Sequence, residues 1–341
     1  MSARAEGEGS LRLMLESVGA LGAPRRPLVI GESSGALAAA LQATGAAPFA
    51  WLREAAADHE TTPRTWPDGE GIDAAIVRLP KSKDSLMLAL HAAAAKVPPG
   101  GVIAVFGGNA EGVRSVASKL ADVADNVETL ATGHHARILI GRRKVRIAGL
   151  KASLADWRHE GRIALGGGTR PWISYPGTFA KGGLDAGTAF LIAHLPSLPR
   201  GARVLDFAAG SGVLAAAVET RGTNLEIDMI EADALALAAA RENVTCARGL
   251  CAACITAAEG QRYDLIVSNP PLHEGIAESH RVLERLIAEA PPHLRPGGTL
   301  LLVVQRRVAV LPLMQKAFPM ARIVADNGRF TVVSGERAAR G

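Results

Sequence analysis

The two halves of this chain repeat one order of sequence elements, and this repeat most restricts the fold. In the second half a glycine loop (DFAAGSG) precedes an apolar strand (YDLIV), a P-G-G turn, a second apolar strand and a closing strand (GRFTVV). The first half has the same order, with GESSG, IDAAIV, PPGG, VIAVFGG and HARILIG. Strands that alternate with Ala- and Leu-rich helical stretches predict a parallel α/β sheet in each half. We therefore expect two copies of one doubly wound fold.

A length of 341 residues suits two domains that each bury a core. We expect a first domain over residues 1–147, a connecting segment over 148–172 and a second domain over 173–341. Convergent similarity between unrelated α/β domains is the alternative. The matched P-G-G turns and closing strands favour duplication.

The composition indicates a globular protein with a mild basic excess. Lys and Arg number 38 against 33 Asp and Glu, giving a net charge of +5, which fits a polyanionic partner better than an acidic chain would. The start of the chain, MSARAEGEGS, lacks an apolar signal core and is expected to be a frayed tail. Apolar runs such as GTLLLVV are only strand-length, so we expect no membrane span and a cytoplasmic location.

Three cysteines form a C-x4-C-x2-C pattern at Cys246, Cys251 and Cys254. Clustered cysteines can hold zinc or iron–sulfur, but a fourth thiol is missing and the segment has no metal-knuckle pattern. We expect no metal. Small buried residues in a third strand are the favoured interpretation, and so few cysteines suit a reducing compartment.

The turn after YDLIV carries the most chemical information. It begins the octapeptide SNPPLHEG at residues 268–275. Because proline lacks an N–H and restricts the residue before it, the backbone must leave the strand in a stiff turn. Ligands bind at this carboxyl edge of open α/β sheets, where the Asn269 carboxamide and a proline carbonyl can grip both hydrogens of a planar amine. A proline-terminated strand without chemistry is the alternative.

A candidate nucleotide site precedes that turn. Asp206 leads into the glycine loop, which includes Gly210 and Gly212 and opens a helix. Glycines allow close backbone approach to a ligand, and a helix N-terminus favours a carboxylate. Glu231 ends the next apolar strand, where an acid can hold two ribose hydroxyls. A solvated strand-end carboxylate is the alternative for Glu231.

The two halves differ where chemistry is expected. Aligning Gly35 with Gly212 places Val29 opposite Asp206 and Ser33 opposite Gly210; aligning the prolines of the turns places Leu79 opposite Asn269 and Lys81 opposite Pro271. The first half has lost the acid and the amide, so we expect it to be catalytically silent.

Asn-Pro-Pro in this context resembles the Asn-Pro-Pro-aromatic motif of class I S-adenosylmethionine-dependent amino-methyltransferases. Upstream, the segment ending LDAGT (residues 184–188) resembles the F-S-x-x-x-L-D-x-G-T segment of the bacterial small-subunit rRNA guanine-N2 methyltransferases. The resemblance covers nearly the whole chain. It implies two Rossmann-like methyltransferase domains, the first degenerate, and methylation of a guanine N2 amine in ribosomal RNA.

The resemblance also implies two sets of site residues. The residues expected to hold S-adenosylmethionine are Asp206, Ala208, Gly210, Gly212, Glu231, Cys254, Asp185 and Thr188. The residues expected at the target are Asn269, Pro270 and Pro271 as the amine clamp, with Leu272 and His273 beside the base.

Three departures from the family pattern stand out. Ala208 replaces the usual first glycine, and Cys254 lies where an Asn or Asp often meets the adenine amine. Leu272 replaces the aromatic residue that stacks on the base, a contact worth about 1–3 kcal/mol per base.

Basic residues are expected to dock the RNA. Arg142, Arg143, Lys144 and Arg146 cluster at the end of the first half, and Arg306-Arg307 follow an apolar strand in the second. The expected partner is ribosomal RNA or the small ribosomal subunit. Methylation of a protein glutamine and an inert RNA-binding assembly factor are the alternatives.

Overall fold

The computed structural model describes residues 3–56, 62–179, 183–270 and 276–338. These residues form two compact units. The first comprises residues 3–53 and 62–158, and the second comprises residues 54–56 and the described residues from His159 onward. Residues 159–172, which the sequence predicted to be part of a connecting segment, fall within the second of these units.

The first unit contains four helices and one sheet among its described residues. The helices are α1 (Ala3–Glu16), α2 (Ala36–Ala43), α3 (Lys83–Lys96) and α4 (Val116–Val123). The strands are β1 (Pro27–Ile30), β2 (Phe49–Trp51), β3 (Ala74–Arg78), β4 (Val102–Gly108), β5 (Ala124–Gly133) and β6 (Ala136–Arg143). The sheet order is β2-β1-β3-β4-β6-β5, with β6 antiparallel to both of its neighbours and the other pairs parallel.

The start of the chain corrects one expectation. Residues predicted to be a frayed tail enter α1, whose side chains Leu13 and Met14 are buried in the core of the first unit. The sequence obscured this helix because its first half is rich in Gly and charge. Its apolar anchors lie beyond the ten residues that suggested a tail.

The second unit begins with a hairpin and continues into a larger sheet. Its strands are β7 (His159–Leu165), β8 (Gly168–Ser174), β9 (Arg203–Phe207), β10 (Glu226–Glu231), β11 (Arg248–Cys251), β12 (Tyr263–Ser268), β13 (Leu294–Gln305), β14 (Arg322–Asp326) and β15 (Phe330–Glu336). Its helices are α5 (Ala186–Ile192), α6 (Val213–Val218), α7 (Ala234–Asn243), α8 (Ile276–His293) and α9 (Val310–Ala317). Among the described residues, β7 and β8 pair only with each other, and the seven other strands follow the order β11-β10-β9-β12-β13-β15-β14.

Successive residues of the central strands enter two different cores. Leu265 and Val267 of β12 pack in a cluster with Leu191 and Val213, whereas Ile266 packs on the other face with helix α8. Because side chains alternate across a strand, an uninterrupted apolar run fits a sheet covered on both faces. This confirms the doubly wound architecture predicted for the second half.

The first sheet is a reduced copy of the second. Each sheet ends in an antiparallel pair of strands, β5–β6 in the first unit and β14–β15 in the second. Gly35 and Gly212 occupy equivalent places, each with a left-handed φ (75° and 89°), immediately before the helix that follows β1 (α2) and the helix that follows β9 (α6). Among the described residues, the first sheet has six strands against seven, since no counterpart of β11 lies outside β2.

Candidate functional site

The loop between β9 and α6 has an unusual backbone. Within residues 208–212, Ala208 (φ 58°), Gly210 (φ 55°) and Gly212 (φ 89°) all adopt left-handed conformations. An alanine there is strained by roughly 1–2 kcal/mol, so the departure at Ala208 has a cost that a glycine would not carry. A Cβ added at Gly210 would meet nothing within 4 Å, so this part of the loop borders open space.

Asp206 supports the loop from beneath. Its side chain is completely buried, and its Oδ2 accepts a hydrogen bond from the Ala215 N–H at 2.9 Å. The other oxygen, Oδ1, has no hydrogen-bond partner among the described residues. Burial raises the pKa of Asp206 to about 8, against the opposing effect of the Ala215 N–H and with a further increase from the charge of Glu231. Asp206 thus acts on the loop by holding the first turn of α6.

Glu231 lies directly against the loop. Its Oε2 accepts from the Gly210 N–H at 2.7 Å, and its Oε1 accepts from the Asp233 N–H at 2.9 Å. Burial raises the pKa of Glu231 to about 7, although both backbone hydrogen bonds favour the charged form. The structure therefore brings together the predicted loop and the predicted ribose acid, which the sequence separates by 21 positions.

The start of α5 holds the Asn269 side chain. Asp185 caps this helix, and its Oδ2 accepts from the N–H groups of Gly187 and Thr188 at 2.9 and 3.1 Å. The Asn269 Nδ2 donates to the same Asp185 oxygen at 3.1 Å and to the Thr188 Oγ1 at 2.9 Å. Both hydrogens of the amide are thereby engaged, which leaves Oδ1 as the atom that can accept from an incoming amine.

Two further contacts fix this arrangement. A Cβ added at Gly187 would lie 3.2 Å from the Phe330 ring, so a larger residue would require a small shift of the ring or of α5. Ser268, which precedes the clamp, is buried and donates to the Phe207 carbonyl at 2.6 Å. The last residue of β12 is thus tied to the end of β9, where the glycine loop begins.

Sequence reasoning missed a set of residues that support the loop from the side of the hairpin. The Asn243 side chain accepts from the Ile173 N–H at 2.7 Å and donates to the carbonyls of Ile173 (2.9 Å) and Ser211 (3.0 Å). The Trp172 Nε1 donates to the Ser211 Oγ at 3.2 Å. No local spacing signals these partners, because the contact joins residues 70 positions apart.

The predicted target residues lie partly outside the described residues. Asn269 and Pro270 are described, whereas Pro271, Leu272 and His273 are not. The position of Leu272 beside the target base, where the family has a stacking aromatic residue, therefore stays a prediction.

The sequence suggested that the cysteines are small buried residues of one strand, and the structure does not place them together in a strand. Cys246 is exposed beside Glu219, whose Oε1 accepts from its Sγ at 2.7 Å, and only Cys251 lies in β11. Cys254 is half-buried immediately before a short 3₁₀ helix. Within the described ranges, no group of three or more His, Cys, Asp or Glu side chains could hold a metal ion.

Two of the basic residues that were predicted to contact phosphate donate hydrogen bonds to backbone carbonyls of the protein. The Arg143 guanidinium donates to the carbonyl of Ala94 at 3.1 Å, and the Lys144 ammonium donates to that of Ala121 at 2.5 Å. These carbonyls belong to the last turns of α3 and α4, where cations stabilise the helix ends. Arg142 and Arg146 are exposed, so they are better placed to meet an RNA phosphate.

The first unit fills its own loop. Glu32 is buried, and its carboxylate accepts from the Ser34 N–H at 2.6 Å, the Ser34 hydroxyl at 2.5 Å and the Leu37 N–H at 3.2 Å. The N–H groups that begin α2 are thus engaged by the protein itself. A ligand carboxylate at this helix would have to displace the carboxylate of Glu32.

The turn of the first unit that corresponds to the predicted amine clamp is also filled by a side chain of the protein. Leu79, which follows β3 as Asn269 follows β12, is buried and offers no side-chain acceptor. Beside it, Arg78 forms a half-buried ion pair with Glu111 at 2.5 Å. Burial opposes ionisation of Glu111, but the bonds from Arg78 and the Gly108 N–H outweigh it and lower its pKa. The first unit therefore lacks the side-chain acceptor that Asn269 provides in the second.

The sheet order, the glycine loop joined to a strand-end acid, and the amide turn at the neighbouring strand define the second unit as a class I methyltransferase. The model of the "Methyltransferase small domain" matches residues 171–334, and that of the "Methyltransferase small domain N-terminal" matches residues 24–159. The chain belongs to the family of ribosomal RNA small subunit methyltransferase C.

Relatives in this family align with most of the chain. The protein named ribosomal RNA small subunit methyltransferase C from Ectopseudomonas mendocina is 33% identical over 276 residues, covering 80% of this chain and 81% of its own. Its namesake from Shewanella loihica is 28% identical over 277 residues, covering 80% and 79%. A solved T. thermophilus 16S rRNA N2 methyltransferase (RsmC), in complex with AdoMet and guanosine, shares the fold with a TM-score of 0.76 at 20% identity and covers 96% of this chain and 91% of its own.

Proposed function

We propose that the second unit transfers a methyl group from S-adenosylmethionine to the exocyclic N2 amine of a guanine in small-subunit ribosomal RNA. The orientation of Asn269 carries this proposal, because its amide hydrogens are engaged and its oxygen is left to accept from an amine. The names of the relatives support the RNA substrate, and the guanosine complex of the T. thermophilus protein supports the base.

The residues of the loop fit S-adenosylmethionine. Open space at Gly210 leaves room for close backbone contact, and the α6 N-terminus favours the carboxylate of the amino-acid end. Glu231 adjoins the same loop residue, so its carboxylate can hold ribose hydroxyls beside it. When bound, S-adenosylmethionine supplies a methyl group that its sulfonium has already activated.

The protein then has to align and activate a weak nucleophile. The lone pair of the guanine amine is delocalised into the ring, so the nitrogen is planar and unreactive. Hydrogen bonds from its two N–H groups to the Asn269 Oδ1 and the Pro270 carbonyl favour the pyramidal nitrogen of the transition state. The positively charged nitrogen formed on methylation is acidic and loses its proton to solvent, so a strong general base is not required. A paired base cannot reach the turn, so the target guanine must be unpaired or flipped out.

The first unit is proposed to dock RNA without catalysing transfer. Its loop and turn are filled by Glu32 and Leu79, so one cofactor is expected to bind per chain. The division of the chain into a docking domain over 1–147, a connection over 148–172 and a catalytic domain over 173–341 stays a proposal, as does a cytoplasmic site of action. Among the described residues no helix has the length and apolar character that crossing a membrane requires.

Transfer of labelled methyl groups tests this function. Small subunits, large subunits and peptide release factors are each incubated with the protein and labelled S-adenosylmethionine, and incorporation into small-subunit RNA alone is expected. Asn269→Ala should lower the transfer rate by about 10²- to 10³-fold, the usual cost of one transition-state hydrogen bond. Its affinity for S-adenosylmethionine, measured by calorimetry, should stay unchanged. Incorporation into release factors, or none into any substrate, would contradict the proposal.

A further inference from the structure

Three arginines converge at the edge of the second sheet that carries the clamp. Arg306 and Arg307 follow β13, and Arg329 precedes β15. The Arg306 N–H donates to the Arg329 carbonyl at 2.9 Å, directly after the last pair of the β13–β15 ladder, Gln305 with Phe330. All three residues are exposed. We refer to Arg306, Arg307 and Arg329 as the arginine surface.

The register of the sheet places this surface beside and above the clamp. Ser268, the last residue of β12, pairs with Leu302 of the adjacent strand β13. Strand β13 continues three residues further, to Gln305, which at 3.3 Å per residue carries its end about 10 Å beyond the end of β12. Phe330 connects the two places, because its ring packs on Gly187 in the helix that holds Asn269.

The charge of the surface is only partly neutralised by the protein. Asp326 lies 3.6 Å from the Arg306 Nε, and it also accepts from the Gly328 N–H (2.7 Å) and the Thr331 hydroxyl (2.9 Å). Arg329 is held by stacking, with its guanidinium carbon 5.1 Å from the centroid of the Phe330 ring. The turn is therefore ordered by its own contacts, and among the described residues Asp326 is the one carboxylate that forms an ion pair with these three guanidinium groups.

We propose that the arginine surface binds the phosphates that flank the target nucleotide while its base occupies the clamp. This inference rests on the proposed function. A base that enters the clamp must leave its stack, so the strand on either side of it crosses the rim of the site. Guanidinium groups match phosphate oxygens in charge and geometry, and backbone contacts of this kind set the position of a nucleic acid.

The test removes two of the arginines and compares a matched pair elsewhere. Arg307→Ala with Arg329→Ala leaves the contact of Arg306 with Asp326 in place, so the turn keeps its structure. The control variant, Lys316→Ala with Arg322→Ala, also removes two exposed positive charges. Arg322 begins β14, and the opposite end of that strand is Asp326, the partner of Arg306. Binding of a protein-free small-subunit rRNA transcript is measured at several salt concentrations.

We expect the Kd for this RNA to rise about tenfold in the Arg307/Arg329 variant and less than twofold in the control. Two lost phosphate contacts should reduce the slope of log K against log salt by about 1.4, from 0.7 per contact on a single strand. The affinity for S-adenosylmethionine should be the same in all three proteins. Equal weakening in both variants, or no weakening in either, would overturn the proposed surface. Failure of the wild-type protein to methylate RNA would instead refute the proposed function, since binding is measured without methyl transfer.

Discussion

Replacing Asn269 with aspartate turns the hydrogen bond that orients the clamp into a repulsion. In the native structure the Asn269 Nδ2 donates to the Asp185 Oδ2, which is acceptor-only when ionised. In Asn269→Asp a carboxylate oxygen occupies the place of the donor. The variant keeps the size and the turn of the native residue, so any loss reports the orientation and charge of the amide.

The magnitude follows from the separation. Two unit charges 3.1 Å apart repel by about 5 kcal/mol at an effective dielectric constant of 20. Both residues are partly exposed, so solvent screening and movement of the side chains reduce this. We expect the repulsion to move the side chain out of the orientation that accepts from the amine, so that the transition state loses about 2–3 kcal/mol of stabilisation and the rate falls about 30- to 150-fold.

The assay is single-turnover methyl transfer to small-subunit rRNA in a double-mutant cycle. Asp185→Asn alone retains a good helix cap for α5, since asparagine and aspartate cap helices about equally well. In the combined variant Asp185→Asn with Asn269→Asp, the amide introduced at position 185 can donate to the carboxylate introduced at position 269, which restores one orienting bond. We expect the second substitution to recover at least tenfold of the lost rate, a coupling of about 1.4 kcal/mol. A combined variant no faster than Asn269→Asp alone would refute the claim that this pair orients the clamp.

Three further predictions concern the cofactor loop. Because burial raises the pKa of Asp206 to about 8, the folded protein retains a proton that the unfolded chain releases near pH 4, so the cofactor-free protein should lose stability as the pH rises toward 8. Asp206→Asn should flatten the dependence of Tm on pH between 5 and 8, and an unchanged slope would contradict this prediction. Gly212→Ala should lower the free energy of unfolding, measured by chemical denaturation, by about 2 kcal/mol, because φ is 89° and the new Cβ would lie 3.0 Å from Val244. Gly210→Ala places its Cβ in open space and should lower it by less, so equal losses would count against this explanation. Asn243→Ala removes three hydrogen bonds beneath the hairpin and should cost about 2–4 kcal/mol of stability and weaken S-adenosylmethionine binding measured by calorimetry; unaltered binding in the folded variant would show that the loop does not depend on this support.

The parts of the fold that the sequence predicted are those with strong local signals. Apolar runs indicated the central strands, and the glycines at 35 and 212 indicated the two strand-to-helix turns, because left-handed backbone strongly favours glycine. Asn-Pro-Pro fixed the end of β12, since proline cannot continue a buried strand. Strand β14 carries no such signal, because its residues are mostly exposed or half-buried and do not alternate as a one-sided strand would.

The site needed tertiary information that no local pattern contains. The family resemblance implied that Asp185 and Thr188 lie near the cofactor, but it did not show that both accept hydrogen bonds from the Asn269 amide. Asn243 has no sequence signature, since its partners come from a distant hairpin and from the loop. Comparison of the two halves showed which functional groups the first half lacks, but it did not indicate that Glu32 occupies the loop in their place, which only the structure shows.

Nucleoside analysis of small-subunit rRNA after methylation by the purified protein tests the central claim most directly. The account predicts that N2-methylguanosine is the only new modified nucleoside and appears at no more than one per RNA molecule. It also predicts that Asn269→Ala forms this product about 10²- to 10³-fold more slowly while the protein still binds one S-adenosylmethionine. A different methylated nucleoside, or wild-type levels of N2-methylguanosine from Asn269→Ala, would contradict an amine clamp at this turn.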